Sequence, residues 1–572
     1  MDNPSIARVL SEIGDLLEIK GENPFKIRAY RNAADLVVSS AERIADLEAT
    51  GLLAMPGIGK DLAGKIAEIA ATGACRYHQD LLAEFPSTIL DLLRLQGVGP
   101  KTVALLYGAL GIGSLDQLEE AARAGRLRAL RGMGAKKEAL ILKALDERRR
   151  YEGRHLLADA SDAADRLIHH LREAAPDTEF VSVGSVRRGA ETCGDLDILA
   201  IGGGTELMDS LASYALVERV LGKGETKSSV LLRGGLQADL RLVARECRGA
   251  ALQYFTGSKA HNIALRDRAL SNGLRLNEYG LYRVDDGERV AGDTEASIYA
   301  ALGLDEVPPE LRENRGEIEA ARTGSLPRLI TLEDLKGDLH AHTDATDGRD
   351  GIEAMALGAR AAGLSYLAIT DHSRSLAMTG GLDEREVLAH ARRIREVGRR
   401  LDGITLLAGI ECDVLPDGRL DLAEDCLAAL DIVVASVHTA FNQGESQMTD
   451  RVLRAMDSPV VDILGHPTGR LLLSREPYPV NIEQIIGAAA RHGVMLEISS
   501  QVDRLDLNDV HARLARDRGV RLVISTDAHS HRGFGMLRWG VAVARRAWLE
   551  AADVANTRPA SQFTALLRRH AR

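Results

Sequence analysis

An alternation that begins near residue 337 and runs almost to the end of the chain restricts the fold more than any other feature. Apolar runs near Gly337 to His342, Tyr366 to Thr370, Thr405 to Ile410, Ile432 to Val437, Val461 to Leu464, Val494 to Ile498 and Arg521 to Ser525 read as strands. Helix-period segments such as Glu353 to Ala362, Glu384 to Arg400, Ile482 to Arg491 and Val510 to Arg518 separate them. Seven strand-helix units predict a barrel-like parallel sheet.

That sheet accounts for less than half of 572 residues, a length that allows about three to five domains. Residues 1–150 read instead as short amphipathic helices between glycine turns, for example Ile6 to Leu17 and Pro24 to Val38, and predict an all-helical region. From about Glu179, short strands (Phe180 to Val183, Leu196 to Ile201, Val230 to Leu232, Ala238 to Val243) mix with helices in an α+β arrangement. Residues 305–335, with Pro308-Pro309 and Gly324-Ser325-Leu326-Pro327, read as an extended connector.

Composition narrows the function. Aromatic residues are 3% of the chain, too few for binding dominated by broad aromatic platforms. Five cysteines, an odd number with no C-x-x-C pair, argue against a disulfide framework or a thiolate zinc finger. With no basic-then-apolar segment at Met1-Asp2-Asn3-Pro4 and no apolar stretch near membrane length, a soluble cytoplasmic protein without a membrane partner is expected. Net charge is -11, but the excess acid sits in the middle: 21 Lys+Arg face 20 Asp+Glu in 1–150, 22 face 31 in 151–335, and 29 face 32 in 336–572. Eleven of sixteen histidines lie after residue 336, the first sign of a metal site there.

Three segments of the helical region share one pattern: Gly57-Ile58-Gly59-Lys60, Gly97-Val98-Gly99-Pro100-Lys101 and Gly132-Met133-Gly134-Ala135-Lys136. Each follows a helix and opens another, so the glycines permit a tight turn while amides at the new helix start, with the lysine, face an anion. Helix-hairpin-helix units gripping DNA phosphates are the preferred reading; structural corners with solvated lysines are the alternative.

In Gly184-Ser185-Val186-Arg187-Arg188-Gly189-Ala190-Glu191-Thr192-Cys193-Gly194-Asp195-Leu196-Asp197, the two aspartates at i and i+2 of a strand share a face and can clamp a pair of cations. Ser185 and Arg188 lie where they can hold a triphosphate, and Asp239 on a later strand supplies a third acid. Beyond residue 336, His340, His342, Asp347, Asp371-His372, Glu411, His438, His466, Asp527 and His529 recur where strands end, the end at which barrel active sites collect. His390, His492, His511 and His531 fall off those strand ends and read as surface or supporting groups.

Residues 1–315, with Tyr254-Phe255-Thr256-Gly257-Ser258 and Asn277-Glu278-Tyr279-Gly280 beside the Gly-Ser and Asp motifs, resemble the family X DNA polymerases. The resemblance implies that Asp195, Asp197 and Asp239 are catalytic and carry two Mg2+ ions. It places Ser185 and Arg188 at the β and γ phosphates, Tyr254 and Phe255 at the sugar and Asn262 near the base, with Gly194 and Gly257 also among the nucleotide-binding residues. Lys259 stands where an acid is usual in vertebrate members, adding positive charge toward the nucleotide. Lys65 aligns with the family's Schiff-base lysine, and a DNA-facing lysine is the alternative.

Residues 336–572 resemble the polymerase and histidinol phosphatase (PHP) domain, a distorted seven-stranded barrel. That resemblance implies up to three Zn2+ or Mn2+ ions: one held by His340, His342, Glu411 and Asp527, one by Glu411, His438 and His466, and one by Asp347, His372 and His529. It implies a multi-domain chain: a lyase-like helical domain (1–85), helix-hairpin-helix fingers (86–150), an α+β palm (151–243), a thumb (244–315), a linker (316–335) and the barrel (336–572). The expected function is gap-filling DNA synthesis in base excision repair by a monomer, using primed or gapped DNA and deoxynucleoside triphosphates. A 3′ to 5′ exonuclease that also cuts abasic sites accompanies it. The alternative is a histidinol-phosphate-type phosphoesterase whose N-terminal half binds DNA without extending it.

Overall fold

The computed structural model describes residues 3–39, 44–47, 49–55, 57–86, 88–95, 98–151, 153–376 and 379–567. The chain divides into two compact units, Met1–Glu152 and Gly153–Arg572.

The first unit is helical throughout its described residues. Its first helix, Asn3–Lys20, buries Ile6, Leu10, Ile13 and Leu17, which recur at intervals of three and four and so line one face. That face packs in one core with Val37, Ile66, Ile69, Val103 and Leu106 from the helices that follow.

The second unit contains two sheets that carry the chemistry. The smaller has five strands in the order Glu179–Ser182, Asp195–Ile201, Gln237–Val243, Lys227–Leu232, Val217–Lys223. Its centre pairs Asp195–Ile201 parallel with Gln237–Val243, so that Asp197 lies directly beside Asp239. Helices Arg248–Thr256 and Lys259–Ser271, with a three-stranded antiparallel sheet, follow it.

The larger sheet has seven strands in chain order, all parallel: Gly337–Asp338, Tyr366–Ile369, Thr405–Asp413, Ile432–Ser436, Ile463–Leu464, Met495–Ser499 and Leu522–Ser525. Ala341 bridges Ala528, and Asp338 accepts hydrogen bonds from the Thr526 amide (3.2 Å) and hydroxyl (2.6 Å), so the two edges almost close into a barrel. Strand residues alternate between two cores. Tyr366, Ala368, Leu407, Val434, Met495 and Val523 form the smaller one with Phe563, while Leu367, Ile369, Val433 and Leu496 pack with the surrounding helices.

Two expectations change. The first barrel strand is only Gly337–Asp338, so His340 and His342 follow a strand end rather than sit within a regular strand. The supposed linker, 316–335, is folded: Glu317–Thr323 is a helix, and the Ile330 amide donates to the Leu549 carbonyl at 2.9 Å. Its charge is satisfied internally, because the fully buried Glu317 pairs with His261 Nδ1 at 2.7 Å and receives the Asn314 and Arg315 amides.

Candidate functional site

The glycine hairpins keep their middle residues inside and their glycines bare. Ile58, Val98 and Met133 are buried in the helical core, whereas a Cβ added at Gly57, Gly59, Gly99, Gly132 or Gly134 would meet nothing within 4 Å. Gly57 and Gly132 have φ of +82° and +83°, and Gly59 and Gly99 immediately precede helices Lys60–Thr72 and Pro100–Leu110. Lys60, Lys101 and Lys136 are exposed; Gly97 lies outside the described residues. Lys65 is paired with Asp61 and sits 4.9 Å from the centre of the Tyr77 ring. Burial works to lower its pKa, but Asp61 and Tyr30 outweigh that and raise it, the reverse of what a Schiff-base nucleophile needs.

In the second unit a cleft of about 620 Å³ is lined by Gly184, Ser185, Arg188, Gly194, Asp195, Asp197, Tyr254, Phe255, Gly257, Lys259 and Asn262. The eight residues expected at the nucleotide are thus brought to one wall-to-wall site with two of the three acids. Gly184 has φ +61° and lies so near Asp197 that a Cβ there would be 3.0 Å from Oδ2, which explains the glycine. Burial, then the charges of Asp195 and Asp239, push the Asp197 carboxyl up to about 6. Asp239 is 6% exposed, and its Oδ2 lies 2.7 Å from Lys227 Nζ. Burial raises its pKa, yet Lys227, Ser229 and Gln237 outweigh burial and hold it below the ordinary value. Three crowded carboxylates, one already raised, form a site that a divalent cation would relieve.

Asn262 donates to the Tyr254 carbonyl and accepts from Gln253, both at 2.7 Å, which locks the Tyr254 turn against helix Lys259–Ser271. Lys259 begins that helix, so its ammonium and the helix N-terminus face the same cleft. Arg154 and Arg266 also line it and went unnoticed in the sequence, where no motif surrounds them. Lys227 was missed too: the register sets it opposite Arg241, and its side chain reaches diagonally across the strands to Asp239.

At one end of the barrel the nine expected ligands gather around Glu411. Its carboxylate lies 2.9 Å from His372 and His466, 3.3 Å from His340 and His438, and 3.6 Å from His342. Three groupings suit a cation: His342, Asp347, His372 and His529; His340, His342 and Asp527; and His372, Glu411 and His438. His342 and His372 each fall in two of these groupings, whereas the expected sets gave each of them to one ion. His466 stays at Glu411, held there with φ of +26°, and Asp527 has φ +52°, strained backbone kept where the donors need it.

Six imidazoles and three carboxylates meet here, and among the described residues the buried His340 Nε2 and both His342 ring nitrogens lack hydrogen-bond partners. Orphaned ring nitrogens aimed at carboxylates fit bound cations. Burial lowers the pKa of His372 and His438, but Glu411 with Asp347 or Asp413 overrides it and carries them up to about 10 and about 9.

A supporting ring of carboxylates escaped the sequence. Glu497 lies 2.9 Å from His340 Nδ1 and accepts the His466 amide at 2.6 Å; Asp413 lies 2.7 Å from His438 Nδ1. Asp371 falls in none of the three groupings: it accepts from Thr343 and pairs with His390 at 2.8 Å, and His390 is itself buried. Such partners orient each imidazole and fix which nitrogen faces the cation.

Comparisons with known proteins match the domains that carry these two centres. Residues 158–240 and 251–313 match the families described as DNA polymerase beta palm and DNA polymerase beta thumb. Residues 1–75 match a helix-hairpin-helix domain, 89–147 a SAM-like helix-hairpin-helix tandem, and 338–501 the PHP domain. The chain is 36% identical over 573 residues, all of both chains, to the DNA polymerase/3′-5′ exonuclease PolX of Bacillus subtilis (strain 168). A probable phosphatase of Caldanaerobacter subterraneus subsp. tengcongensis is 31% identical over 205 residues, 34% of this chain and 75% of that protein. A probable phosphatase of Shewanella sediminis is 30% identical over 242 residues, 41% of this chain and 94% of that protein. The chain belongs to the family X DNA polymerases of the PolX type, which join a polymerase core to a C-terminal PHP domain.

Proposed function

We propose that this chain fills short gaps in DNA during base excision repair and trims 3′ ends, and cuts at abasic sites, with its PHP barrel. The observation that carries the synthetic half is the pairing of Asp197 with Asp239 in register, at a cleft lined by Ser185, Arg188, Tyr254 and Lys259. Asp195, Asp197 and Asp239 would hold two Mg2+ ions, which would supply activation of the primer 3′-hydroxyl and neutralisation of the triphosphate. Ser185, Arg188 and Lys259 bind phosphate oxygens, with Gly194 and Gly257 giving the backbone room to approach. Tyr254 and Phe255, edge to face at 5.1 Å between centroids, form the sugar wall and disfavour a 2′-hydroxyl. The three hairpins grip duplex phosphates through Gly57, Gly59, Lys60, Gly97, Gly99, Lys101, Gly132, Gly134 and Lys136.

In the barrel, His340, His342, Asp347, His372, Glu411, His438, His466, Asp527 and His529 would hold Zn2+ or Mn2+ ions, which would supply Lewis acidity toward phosphorus and an activated water. Glu497 and Asp413 keep His340 and His438 aimed at them. The described residues include no helix long and apolar enough to cross a membrane, and all five cysteines are free; a cytoplasmic location and a monomeric state belong to the same proposal.

A primer-extension assay on gapped DNA tests the division of labour. Asp195→Ala abolishes nucleotide addition and spares trimming; His342→Ala does the converse. Wild-type protein that hydrolyses histidinol phosphate yet neither extends nor trims a primer would put the small-molecule phosphoesterase reading first.

A further inference from the structure

Arg188, at the edge of the nucleotide cleft, is seated partly by the barrel. Its Nε donates to Glu313 Oε1 at 3.0 Å and its Nη1 to the Thr256 carbonyl. The same Glu313 oxygen accepts from Arg546 Nη1 at 2.9 Å, and that Nη1 also donates to the Arg188 carbonyl at 3.0 Å. Arg546 ends helix Leu537–Arg546, which packs on the last barrel strands, and its Nη2 pairs with Asp509 at 3.0 Å. Asp509 in turn receives Arg315 Nη1 at 2.9 Å. Gly189, with φ +63°, lets the chain after Arg188 close on that helix: a Cβ there would be 3.3 Å from Ala542 and 3.9 Å from the Arg546 side chain.

Arg546 is 7% exposed and engages three acceptors, so it is no solvent-screened surface pair. Its position on Glu313 has an electrostatic consequence. A carboxylate bound to Arg188 alone would orient that guanidinium and also neutralise it. Arg188, Arg546 and Arg315 surround Glu313 and Asp509, three cations against two carboxylates, so Glu313 orients Arg188 while the group keeps a net positive charge beside the cleft.

We propose that Arg546, supplied by the PHP barrel, is a positioning residue for nucleotide binding in the polymerase site, acting through Glu313 on Arg188. This rests on the polymerase reading above. The barrel is therefore part of the nucleotide site's support as well as a separate nuclease.

Single-nucleotide insertion into gapped DNA by the full-length chain tests it, with Arg546→Met to keep side-chain volume. The KM for the deoxynucleoside triphosphate rises about tenfold, the scale of one lost charge-assisted contact, while kcat stays within about twofold. Arg546→Lys, which keeps a charge between Glu313 and Asp509, returns KM to within about threefold of wild type. Arg545→Ala breaks a neighbouring pair, Arg545 Nε to Glu310 at 2.6 Å, without touching Arg188 and leaves KM unchanged. Primer trimming stays at the wild-type rate in all three. An unchanged KM in Arg546→Met, or an equal rise in Arg545→Ala, overturns the proposal while wild-type extension still stands. A wild-type protein that adds no nucleotide removes the polymerase reading first, and this inference with it.

Discussion

Glu497 offers a way to perturb the barrel's metal centre without removing a ligand. Its two oxygens have separate duties: one meets His340 Nδ1 at 2.9 Å, the other accepts the His466 amide at 2.6 Å. Both donors are buried, so an orphaned one costs about 1 to 3 kcal/mol. Glu497→Ala strands both, about 2 to 6 kcal/mol, and lowers the thermal midpoint. Glu497→Gln keeps one carbonyl oxygen and turns an NH2 toward the other donor, so it loses about half as much. Loss of a supporting partner of this kind typically weakens metal affinity about 10- to 100-fold, or about 1.4 to 2.7 kcal/mol. Trimming of a labelled primer is measured against Mn2+ concentration after chelation, with extension by the same preparation as a control. The half-saturating Mn2+ rises at least about tenfold in Glu497→Gln, further in Glu497→Ala, and extension is unchanged. Wild-type Mn2+ dependence in both variants would refute the role given to Glu497.

The remaining predictions concern the other centre and the hairpins. Because Asp197 is pushed up to about 6, protons compete with Mg2+ below that pH. The half-saturating Mg2+ for extension therefore climbs about tenfold for each unit below 6 and is flat above 7; a flat profile from 5 to 8 would contradict the crowded-acid reading. Gly184→Ala forces an L-residue into φ +61°, about 1 to 2 kcal/mol, and presses on Asp197, so extension slows while trimming does not. Equal loss of both activities would instead indicate misfolding. Replacing Lys60, Lys101 and Lys136 together with alanine lowers the slope of log Kd against log salt for gapped duplex by about 2 to 3; an unchanged slope would mean those lysines face water alone.

Much of the architecture was readable because burial leaves long-period patterns. The barrel strands are mostly apolar, and the hairpins repeat glycine at fixed offsets around Ile58, Val98 and Met133. Ligands were readable where chemistry breaks those patterns, as with His340 and His342. Supporting groups were not. Glu411, Asp413 and Glu497 share the inward face with Leu407 and Met495, but strands buried on both faces give no alternation to say which carboxylate meets a cation and which meets an imidazole. The i+2 spacing of Asp413 from Glu411 was the one available cue. Residues 316–335 misled for a related reason: proline, glycine and charge read as a solvated connector, while the partner that buries Glu317, His261, lies 56 residues away. The link from Arg188 to Glu313 and Arg546 spans 125 and 358 residues and leaves no local trace.

Anomalous diffraction from a crystal soaked in Mn2+ with a non-hydrolysable deoxynucleoside triphosphate tests the central claim most directly, since both centres are read in one experiment. Peaks between Asp195, Asp197 and Asp239, beside the triphosphate, and separate peaks within the Glu411 histidine cluster are expected. A nucleotide seated away from the three aspartates, with manganese only in the barrel, would contradict the two-centre account.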